Sequence, residues 1–544
     1  MAKVKTQVIK GTTYIFERTS FRVPDDDKVH QKRLYLGKLD EDGQFVPNKH
    51  YHALSDEHKQ RISLKPKTAT QISRGRTPAS EVFTRSYYGA TYLFNQLSDQ
   101  LGVTADLKVY FPDTWKQLLS IAWYLILEER NPLSRFPKWS KTHRHPYGED
   151  ISSPRSSDLF AAIDEDRIQK FFSSQVKRRL ETEYLAYDST SLSTYSKAIA
   201  LARRGKNKEH DLLDQINLSL VFGQTSRLPV CYRIMPGNIT DVKTVTKLIQ
   251  DLATMGMGMG KVKLVMDRGY YSTQNISALY RKHYKFLIAA KTSLKFIRTM
   301  IDENRVIICS VENYLPQQDV YALSQCIMWN VSGTFPSEGE VKRKMYVHLY
   351  YNEDKAGMER RVHHRKILKL QKELEEHREQ KLHASLYERY FIIKYTPKRG
   401  RTATIRHNVV KSDEQYYGFF ALLSNCITDK VEALMVYRTK DCVEKAFGNL
   451  KERLGLRRPG VSTESHLQGK IFVQYLALII LSKIQKSMRD KKLHTDYTLY
   501  SLLDELDVIE YYEHPGKVGL WGEITKKQQA LYESLEVQAP VCII

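Results

Sequence analysis

The segment LVMDRGYYS, from Leu264 to Ser272, governs how the rest of the sequence is interpreted. Its apolar start predicts a buried strand, which ends in a carboxylate at Asp267, a cation at Arg268 and then a glycine. Asp and Gly often end strands because they favour turns. The segment alone therefore leaves two interpretations open: an ordinary turn, or a carboxylate placed at a sheet edge for chemistry.

The residues around this segment predict a mixed sheet with helices on its faces. Three strand patterns come first, and then helix and strand patterns alternate. In chain order the patterns lie at 183–191, 215–223, 227–235, 241–256, 261–267, 273–283 and 284–291. Strands joined by hairpins and followed by alternating helices and strands indicate a mixed α/β sheet. This order is that of the RNase H-like fold, which is the fold class we expect by analogy.

The rest of the chain is predicted to form separate regions around this core. Alternating segments predict a β-rich unit, and a basic Ser/Thr/Pro stretch without acids predicts a linker. Apolar residues three and four apart predict helices with a DNA-binding or a scaffold role. The expected boundaries are 1–60 for the β-rich unit, 61–80 for the linker, 81–180 for the helical region, 181–291 for the first part of the core, 292–420 for a β-rich insertion with a charged helix, 421–490 for the second part of the core and 491–544 for a C-terminal region that is a candidate for dimerisation.

The charge balance indicates a polyanionic partner. The 544 residues include 85 Lys plus Arg against 62 Asp plus Glu, a net charge of +23. Nucleic acid is the first candidate, although a ribosome-like or membrane-surface protein is also basic. Two basic stretches, at 61–80 and 394–411, each contain an RGR triplet of the kind that enters a narrow minor groove. A solvated linker is the alternative, and the candidate DNA contacts are Arg74, Arg76, Arg399 and Arg401.

The cysteines and apolar segments indicate a cytoplasmic protein. Six cysteines without a CxxC pair give neither a zinc motif nor a secreted disulfide framework, which is consistent with a reducing compartment. The first residues contain no apolar signal core. The most apolar long run, at 471–484, is short and includes Gln474 and Tyr475. It predicts a buried helix and no membrane association.

Two carboxylates are expected to converge at one edge of the predicted sheet. Asp188 lies in the first strand of the core, and Asp267 ends the strand after the first crossover helix. These strands are neighbours in the expected topology, and two carboxylates brought together attract Mg²⁺ or Mn²⁺. A third carboxylate would complete a two-metal site with ions roughly 3.5–4 Å apart. Arg268 would then neutralise a phosphate beside the ions.

Glu444 is the best candidate for the third carboxylate. It belongs to a helix predicted at 441–456, and Tyr437, Lys440, Glu444 and Lys451 are spaced by three, four and seven residues. If that helix extends back to Tyr437, all four side chains lie on one stripe, because seven residues return to nearly the same direction. The alternative is a surface helix in which Lys440 and Glu444 form an ordinary i,i+4 ion pair.

Two further motifs have both structural and functional interpretations. Tyr416 and Tyr417 in QYYGFF could stack on an unpaired base, or they could pack under the sheet. In MPGNITD, Asn238 and Asp241 are expected to cap the following helix, with a DNA contact as the alternative.

Three segments, YDSTS, MDRGYYS and YRTKDCVEKAFGNLKERL, together resemble bacterial insertion-sequence transposases of the DDE type. The third resembles the branch with a Y-x2-R-x3-E-x6-K (YREK) signature. The resemblance covers roughly 180–290 and 415–485. It implies an acidic triad of Asp188, Asp267 and Glu444, with Tyr437 and Lys451 as further signature residues. The signature arginine is replaced by Lys440, which holds phosphate as a point charge rather than as a fork; Arg438 is the other candidate for that role.

The resemblance implies a DNA transposase of the bacterial cytoplasm, associated with the nucleoid. Such an enzyme binds terminal inverted repeats as a homodimer in a synaptic complex. It cuts the strand with two Mg²⁺ ions, for which Mn²⁺ can substitute, and joins the freed 3′-hydroxyl to target DNA. A hairpin intermediate is implied by the resemblance alone. One alternative is another RNase H-like nuclease such as a junction resolvase, which the long insertion and the signature disfavour. The other is a non-cutting DNA-binding protein derived from a transposase, which the presence of all three carboxylates disfavours.

Overall fold

The computed structural model describes most of the chain in two compact units, Met1–Val82 and Phe83–Ile544. The described residues are 4–9, 11–22, 29–40, 44–62, 84–129, 131–179, 183–205, 211–257, 262–332, 340–396, 400–513 and 518–541. The predicted linker at 61–80 falls almost wholly outside them, and Arg74, Arg76 and Arg399 are also outside.

The first unit is an antiparallel sheet with two short helices. Its elements are β1 (Val4–Ile9), β2 (Thr12–Arg22), β3 (Val29–Leu39), β4 (Phe45–Pro47), α1 (Lys49–His52) and α2 (Asp56–Arg61), with the strands in that order across the sheet. Ile15 and Phe16 of β2 and Leu36 of β3 are buried where the register of the two strands is irregular, so that consecutive residues of β2 are both covered. His58 of α2 contacts the Glu17 carboxylate at 3.1 Å, which ties this helix to the sheet. The strands predicted from alternation in this part of the sequence are therefore present.

The second unit begins with a short strand and a group of helices. These are β5 (Thr84–Tyr87), α3 (Gly89–Gln100), α4 (Val103–Tyr110), α5 (Trp115–Leu127), α6 (Phe136–Trp139), α7 (Ser153–Ala161) and α8 (Glu165–Arg179). Gly102 separates α3 from α4 and has a φ of +68°, a left-handed conformation that favours glycine. The expectation of helix throughout was wrong at 84–87, because those residues pair antiparallel with a strand at 510–513.

A large mixed sheet follows, in the order that the sequence predicts. Its first elements are β6 (Tyr184–Thr194), β7 (Asp214–Gly223), β8 (Pro229–Pro236), α9 (Asp241–Thr254), β9 (Lys263–Met266), α10 (Thr273–Arg281) and β10 (Lys285–Ala290). The strands β6, β7 and β8 form an antiparallel meander. After the crossover α9, β9 pairs parallel with β6, and β10 pairs parallel with β9. The mixed α/β sheet is thereby confirmed.

The residues after β10 add strands to the same sheet. They form α11 (Lys295–Asn304), β11 (Tyr314–Leu315), β12 (Val320–Ser332), β13 (Glu340–Tyr351), α12 (Glu353–Glu375), α13 (Ala384–Tyr390), β14 (Phe391–Thr396), β15 (Gly400–Ile405), α14 (His407–Glu414) and β16 (Phe419–Ser424). Among the described residues the sheet has nine strands in the order β11-β12-β13-β16-β10-β9-β6-β7-β8, and β14 and β15 form a separate hairpin.

The last elements of the chain are mostly helices, and α17 among them packs on the helical region and on the large sheet. They are α15 (Lys430–Arg438), α16 (Asp441–Gly448), α17 (Glu464–Asp490) and α18 (Leu499–Asp507), then β17 (Glu510–Glu513), β18 (Leu520–Trp521) and α19 (Lys526–Ser534). A π-helical turn at Asn449–Arg453 follows α16 directly. The strand β17 pairs with both β18 and β5, so the beginning and end of this unit share a small sheet.

Helix α17 is the central core helix of the second unit. Among the described residues it alone is long and apolar enough to cross a membrane by length and composition, yet 83% of its apolar window is buried inside the protein. The Phe472 ring lies 5.1 Å from Phe111 and 5.4 Å from Phe171, which joins the helical region to this core. The Tyr475 hydroxyl donates to the Val230 carbonyl of β8 at 2.8 Å. The prediction of a buried helix at 471–484 is confirmed.

Candidate active site at the edge of the large sheet

The strands β6 and β9 bring Asp188 and Asp267 to adjacent positions. Tyr187 pairs with Met266 in the parallel register, and an aspartate follows each of these residues. Asp188 is still within β6, and its side chain is 16% exposed. Asp267 lies just beyond β9, where its carboxylate accepts from the Arg268 backbone amide at 2.7 Å. The prediction that these two strands are neighbours is confirmed.

Helix α16 brings Glu444 to the same edge. Its buried residues Val443 and Ala446 anchor it, while the Glu444 side chain is 61% exposed. The Lys440 ammonium donates to Glu444 Oε1 at 3.0 Å and lies 3.9 Å from Asp188 Oδ2. A buried lysine therefore connects the helix carboxylate to the strand carboxylate.

Lys440 remains a cation although it is 5% exposed. Burial alone would lower the pKa of Lys440, but the carboxylates of Asp188 and Glu444 raise it above its ordinary value. A buried charge is tolerated only when it is paired and hydrogen-bonded. Lys440 thus balances the charge of the carboxylates at this site. Its ion pair with Glu444 is made by a buried lysine, and is therefore not the ordinary surface ion pair that the sequence left as an alternative.

The three candidate carboxylates line one pocket of about 650 Å³. Its other residues are Ser189, Thr190, Asp241, Arg268, Gly269, Tyr270, Lys291, Phe447, Gly448 and Lys451. Carboxylate oxygens are the donors that Mg²⁺ and Mn²⁺ prefer, so the chemistry of the donor set fits a hard divalent ion. Within the described part of the chain, however, no three His, Cys, Asp or Glu side chains are close enough together to hold a metal. The Lys440 ammonium lies between two of the carboxylates instead.

The helix predicted at 441–456 begins at Asp441, as expected, and it does not extend back to Tyr437. Helix α15 ends at Arg438, and α16 begins at Asp441. The Lys440 amide bonds to the Tyr437 carbonyl at 3.0 Å, an i→i−3 bond that tightens the chain into a turn between the helices. Lys451 lies in the π-helical turn, a form that is frequent at functional sites. The four residues nevertheless lie around the same edge of the sheet.

Tyr437 contacts a candidate carboxylate directly. Its hydroxyl donates to Asp267 Oδ1 at 2.9 Å. Burial and the neighbouring Asp267 raise the pKa of Tyr437, so the hydroxyl keeps its proton and remains a donor. Arg438 points elsewhere: its guanidinium contacts the Gln318 side chain and donates to the Gln318 carbonyl at 3.1 Å. Of the two cations that could replace the signature arginine, Lys440 is the one beside the carboxylates.

A second pocket, of about 1000 Å³, adjoins the first and shares Asp267 and Arg268 with it. Tyr416 and Tyr417 both line it. The Arg298 guanidinium lies over the Tyr416 ring at 4.7 Å. His363 also lines this pocket and is 9% exposed, and neither of its ring nitrogens has a hydrogen-bond partner among the described residues. The tyrosines therefore line a cavity beside the carboxylates, and Tyr416 also packs, half-buried, against the apolar core.

A hydrogen-bonded group behind Asp188 was not anticipated. The Tyr270 hydroxyl lies 3.2 Å from Asp188 Oδ1 and 3.0 Å from Ser189 Oγ, and the Ser189 hydroxyl donates to Asp241 at 2.8 Å. The expectation that Asn238 and Asp241 cap α9 was wrong, because the N-cap residue is Thr240, Asp241 is the first helical residue and no side chain caps this helix. The glycine in DRGYYS is a usable signal, since a Cβ at Gly269 would lie 3.0 Å from the Asp241 carboxylate.

Of the four arginines assigned to the basic stretches, Arg401 is the one within the described residues. It lies in β15 and forms an ion pair with Glu379. Arg268 is exposed and lines both pockets.

The family model described as "Transposase DDE domain" matches residues 180–480, which is more than half of the chain. The chain therefore belongs to the transposase DDE-domain family. No curated protein sequence matches it. Among solved structures, the cryo-EM piggyBac transposase synaptic complex with hairpin DNA is 9% identical, with a TM-score of 0.36, over 77% of this chain and 76% of that one. The Mos1 transposase paired-end complex with left transposon end is 11% identical, with a TM-score of 0.14, over 45% of this chain and 68% of that one.

Proposed function

We propose that this member of the transposase DDE-domain family cuts the two ends of its own element and joins them to target DNA. It would bind the terminal inverted repeats as a homodimer on the bacterial nucleoid. The observation that carries this proposal is that Asp188, Asp267 and Glu444 line one pocket at the edge of the large sheet. The strand order supports an RNase H-like core at 181–291 and 421–490, interrupted by an insertion at 292–420 whose strands β11, β12 and β13 extend the same sheet.

Each side chain at the pocket has a distinct task in this proposal. Asp188, Asp267 and Glu444 would hold two Mg²⁺ ions, or Mn²⁺ in their place, which supply charge to activate the attacking water or 3′-hydroxyl and to stabilise the leaving oxygen. Tyr437 orients Asp267 through its hydroxyl. Arg268 and Lys451, which line the pocket with the carboxylates, would bind the phosphates that flank the cut.

We assign the role of the signature arginine to Lys440 rather than Arg438. Lys440 lies beside Asp188 and Glu444, whereas Arg438 is engaged with Gln318. With this replacement the chain fits the YREK branch, and a hairpin intermediate is part of the proposal. Hairpin formation strains the DNA end, and Tyr416 and Tyr417 would stack on a base displaced there.

The basic stretches would supply much of the affinity for DNA through phosphate contacts. Neutralising Arg74 and Arg76, or Arg399 and Arg401, should weaken binding and flatten the plot of log affinity against log salt by about 0.9 per lost contact. Because Arg401 already pairs with Glu379, its contribution requires that DNA phosphate replace this partner. An unchanged salt slope in both double variants would show that these arginines do not contact DNA.

The test is a cleavage assay on DNA that carries the element's own ends, with and without Mg²⁺. We expect cuts at the ends with Mg²⁺ and none without it. Asp188→Ala should bind the same DNA without cutting it. Cleavage of branched junctions in preference to these ends would favour a resolvase. If the wild-type protein binds these ends but does not cut them with either Mg²⁺ or Mn²⁺, the non-cutting DNA-binding protein would be favoured.

A further inference from the structure

The first unit contains a two-stranded ribbon that extends beyond the rest of its sheet. The strands β2 and β3 pair from Tyr14↔Lys38 to Arg22↔Val29. The outer strand β1 accompanies β2 no further than Glu17, and β4 pairs with β3 at 37–39 alone. In the described residues, 18–22 and 29–33 therefore form a ribbon with no third strand beside it.

One face of this ribbon is basic and polar. Side chains two residues apart share a face of a strand, so Arg18, Ser20 and Arg22 lie together on β2. The register places Arg33 opposite Arg18 and Gln31 opposite Ser20. We call these five residues the arginine face. It includes three cations and no acid, and all of its side chains except the half-buried Arg18 are exposed.

The two facing arginines are an electrostatic cost to the free protein. Like charges directly opposite each other in a sheet are destabilising. The Arg18 guanidinium turns towards Gln31 at 3.3 Å, whereas the Arg33 guanidinium turns the other way, to Gln7 at 2.9 Å. A polyanion lying on this face would relieve their repulsion.

The opposite face is less suited to a polyanion. Near the base of the ribbon it carries Glu17, whose carboxylate contacts His58 of α2 at 3.1 Å. Further out, the Phe21 and His30 rings stack with their centroids 6.0 Å apart. The arginine face is thus the side with the larger concentration of cations and hydrogen-bonding groups.

We propose that the arginine face enters the major groove of the element's terminal repeat and reads its bases. The major groove admits a two-stranded β-ribbon, Arg recognises guanine by paired hydrogen bonds, and Gln recognises adenine in the same way. The assignment to the terminal repeat rests on the proposed function, because a sequence-reading surface serves the DNA ends that such an enzyme must find. The strands make the contact rather than the connection at 23–28, because Asp25, Asp26 and Asp27 in that connection would repel DNA phosphates. The connection itself lies outside the described residues.

The test measures the preference of the full-length protein for the element's end over a scrambled duplex of equal length and composition. Arg33→Gln should reduce this preference roughly tenfold to a hundredfold, the range expected for one paired base contact. Lys32→Gln is the matched control, because it removes the same charge from the next residue, which is exposed on the opposite face. It should leave the preference unchanged. Arg33→Lys should lower the preference while keeping affinity for the scrambled duplex.

Several results would overturn this proposal. Equal effects of Arg33→Gln and Lys32→Gln would mean that the ribbon supplies charge without reading sequence. Unchanged DNA binding together with an altered mass in light scattering would make the ribbon a protein–protein interface. Unchanged thermal unfolding of each variant establishes that the fold is intact.

The outcome is separable from that of the proposed function. A wild-type protein that prefers its ends but never cuts them would refute the cleavage proposal and leave the ribbon assignment standing. A protein that cuts its ends while Arg33→Gln keeps full preference would refute the ribbon assignment alone.

Discussion

The strand carboxylates and the helix carboxylate of the pocket are positioned by different forces. Asp188 follows a residue whose backbone pairs with β9, and its side chain is 16% exposed. Glu444 is 61% exposed and extends from a helix to a buried lysine. Backbone pairing sets the position of a strand residue whatever its side chain, whereas a helix residue depends on packing and on its side-chain partners. A change in side-chain length should therefore alter the cleavage rate to a different extent at the strand carboxylate and at the helix carboxylate.

The largest effect should follow removal of any one carboxylate. Asp188→Ala, Asp267→Ala or Glu444→Ala should reduce strand cleavage by about a thousandfold or more, because metal-bound charge contributes several kcal/mol to such reactions. Binding to the ends should persist, since affinity comes mainly from phosphate contacts. Glu452→Gln is a control on the same helical stretch, where Glu452 pairs with Arg457 outside the pocket. Wild-type cleavage by one of the three Ala variants would remove that residue from the triad.

Changing the length of a carboxylate side chain should reduce the cleavage rate more at the strand residue Asp188 than at the helix residue Glu444. Asp188→Glu adds a methylene to a largely buried strand position and should cost about a hundredfold in cleavage rate, because a carboxylate displaced by about 1 Å loses its reactive geometry. Glu444→Asp shortens an exposed side chain and should cost about tenfold. Single-turnover cleavage rates measure both effects. Equal losses would show that backbone pairing confers no special rigidity at this edge.

The lysine between the two kinds of carboxylate provides a test that does not depend on cleavage. Lys440→Met leaves Asp188 and Glu444 without their shared cation, so added Mg²⁺ should raise the melting temperature of this variant more than that of the wild type. Lys440→Arg keeps the positive charge and provides a guanidinium that can form two parallel hydrogen bonds to a phosphate or carboxylate. This variant should cleave at a rate close to that of the wild type. An identical response of Lys440→Met and the wild type to Mg²⁺ would show that Lys440 and the metal do not occupy related positions.

Loss of the tyrosine hydroxyl should affect the strand carboxylate moderately. Tyr437→Phe removes the hydrogen bond to Asp267 and keeps the ring. Hydrogen bonds to charged groups contribute about 1.5–3 kcal/mol, and a partial loss of orientation should slow cleavage by about tenfold. Tyr184→Phe is a matched control, since this hydroxyl donates to Glu432 at 3.0 Å outside the pocket. Similar rates for the two variants would argue against an orienting role.

The smallest effect should come from the π-helical turn after the helix carboxylate. Lys451→Ala should slow hairpin closure and release by a few-fold and change the first nick less, because Lys451 lines the pocket where flanking phosphate would lie. A time course on end-labelled DNA that resolves nicked, hairpin and excised species measures each step. Wild-type rates at every step would place Lys451 in a surface ion pair worth under about 1 kcal/mol.

The sequence was most informative where local pattern and backbone pairing agree. The run before Asp267 predicts a strand, and the crossover order predicts that this strand lies beside the strand of Asp188, which the parallel register confirms. The helix pattern placed the start of a helix at Asp441, but it left open whether that helix reached back to Tyr437; the turn between Arg438 and Asp441 required the tertiary structure. An i,i+4 Lys–Glu spacing is the same in a surface pair and in a buried one. The 5% exposure of Lys440 therefore required the tertiary structure.

Long-range partners were the other limit. The contact of Tyr270 with Asp188 joins residues 82 positions apart, and no local pattern reports the direction of a tyrosine hydroxyl. Dependence on a distant partner also explains why a helix was predicted at 84–87: the strand β5 forms there by pairing with β17 at Glu510–Glu513.

The pairing of β5 with β17 has a consequence for how the protein is made. Arg85 and Glu510, which form an ion pair across these strands, are 425 residues apart. At about 5–20 residues per second, a ribosome needs roughly 20 to 90 s to synthesise that interval. During this time β5 lacks its pairing with β17, and α17 is not yet available to the early helices that pack on it. The second unit therefore completes its fold only after Glu510 has been synthesised, and nascent chains interrupted before Glu510 should be substrates for chaperones and proteases.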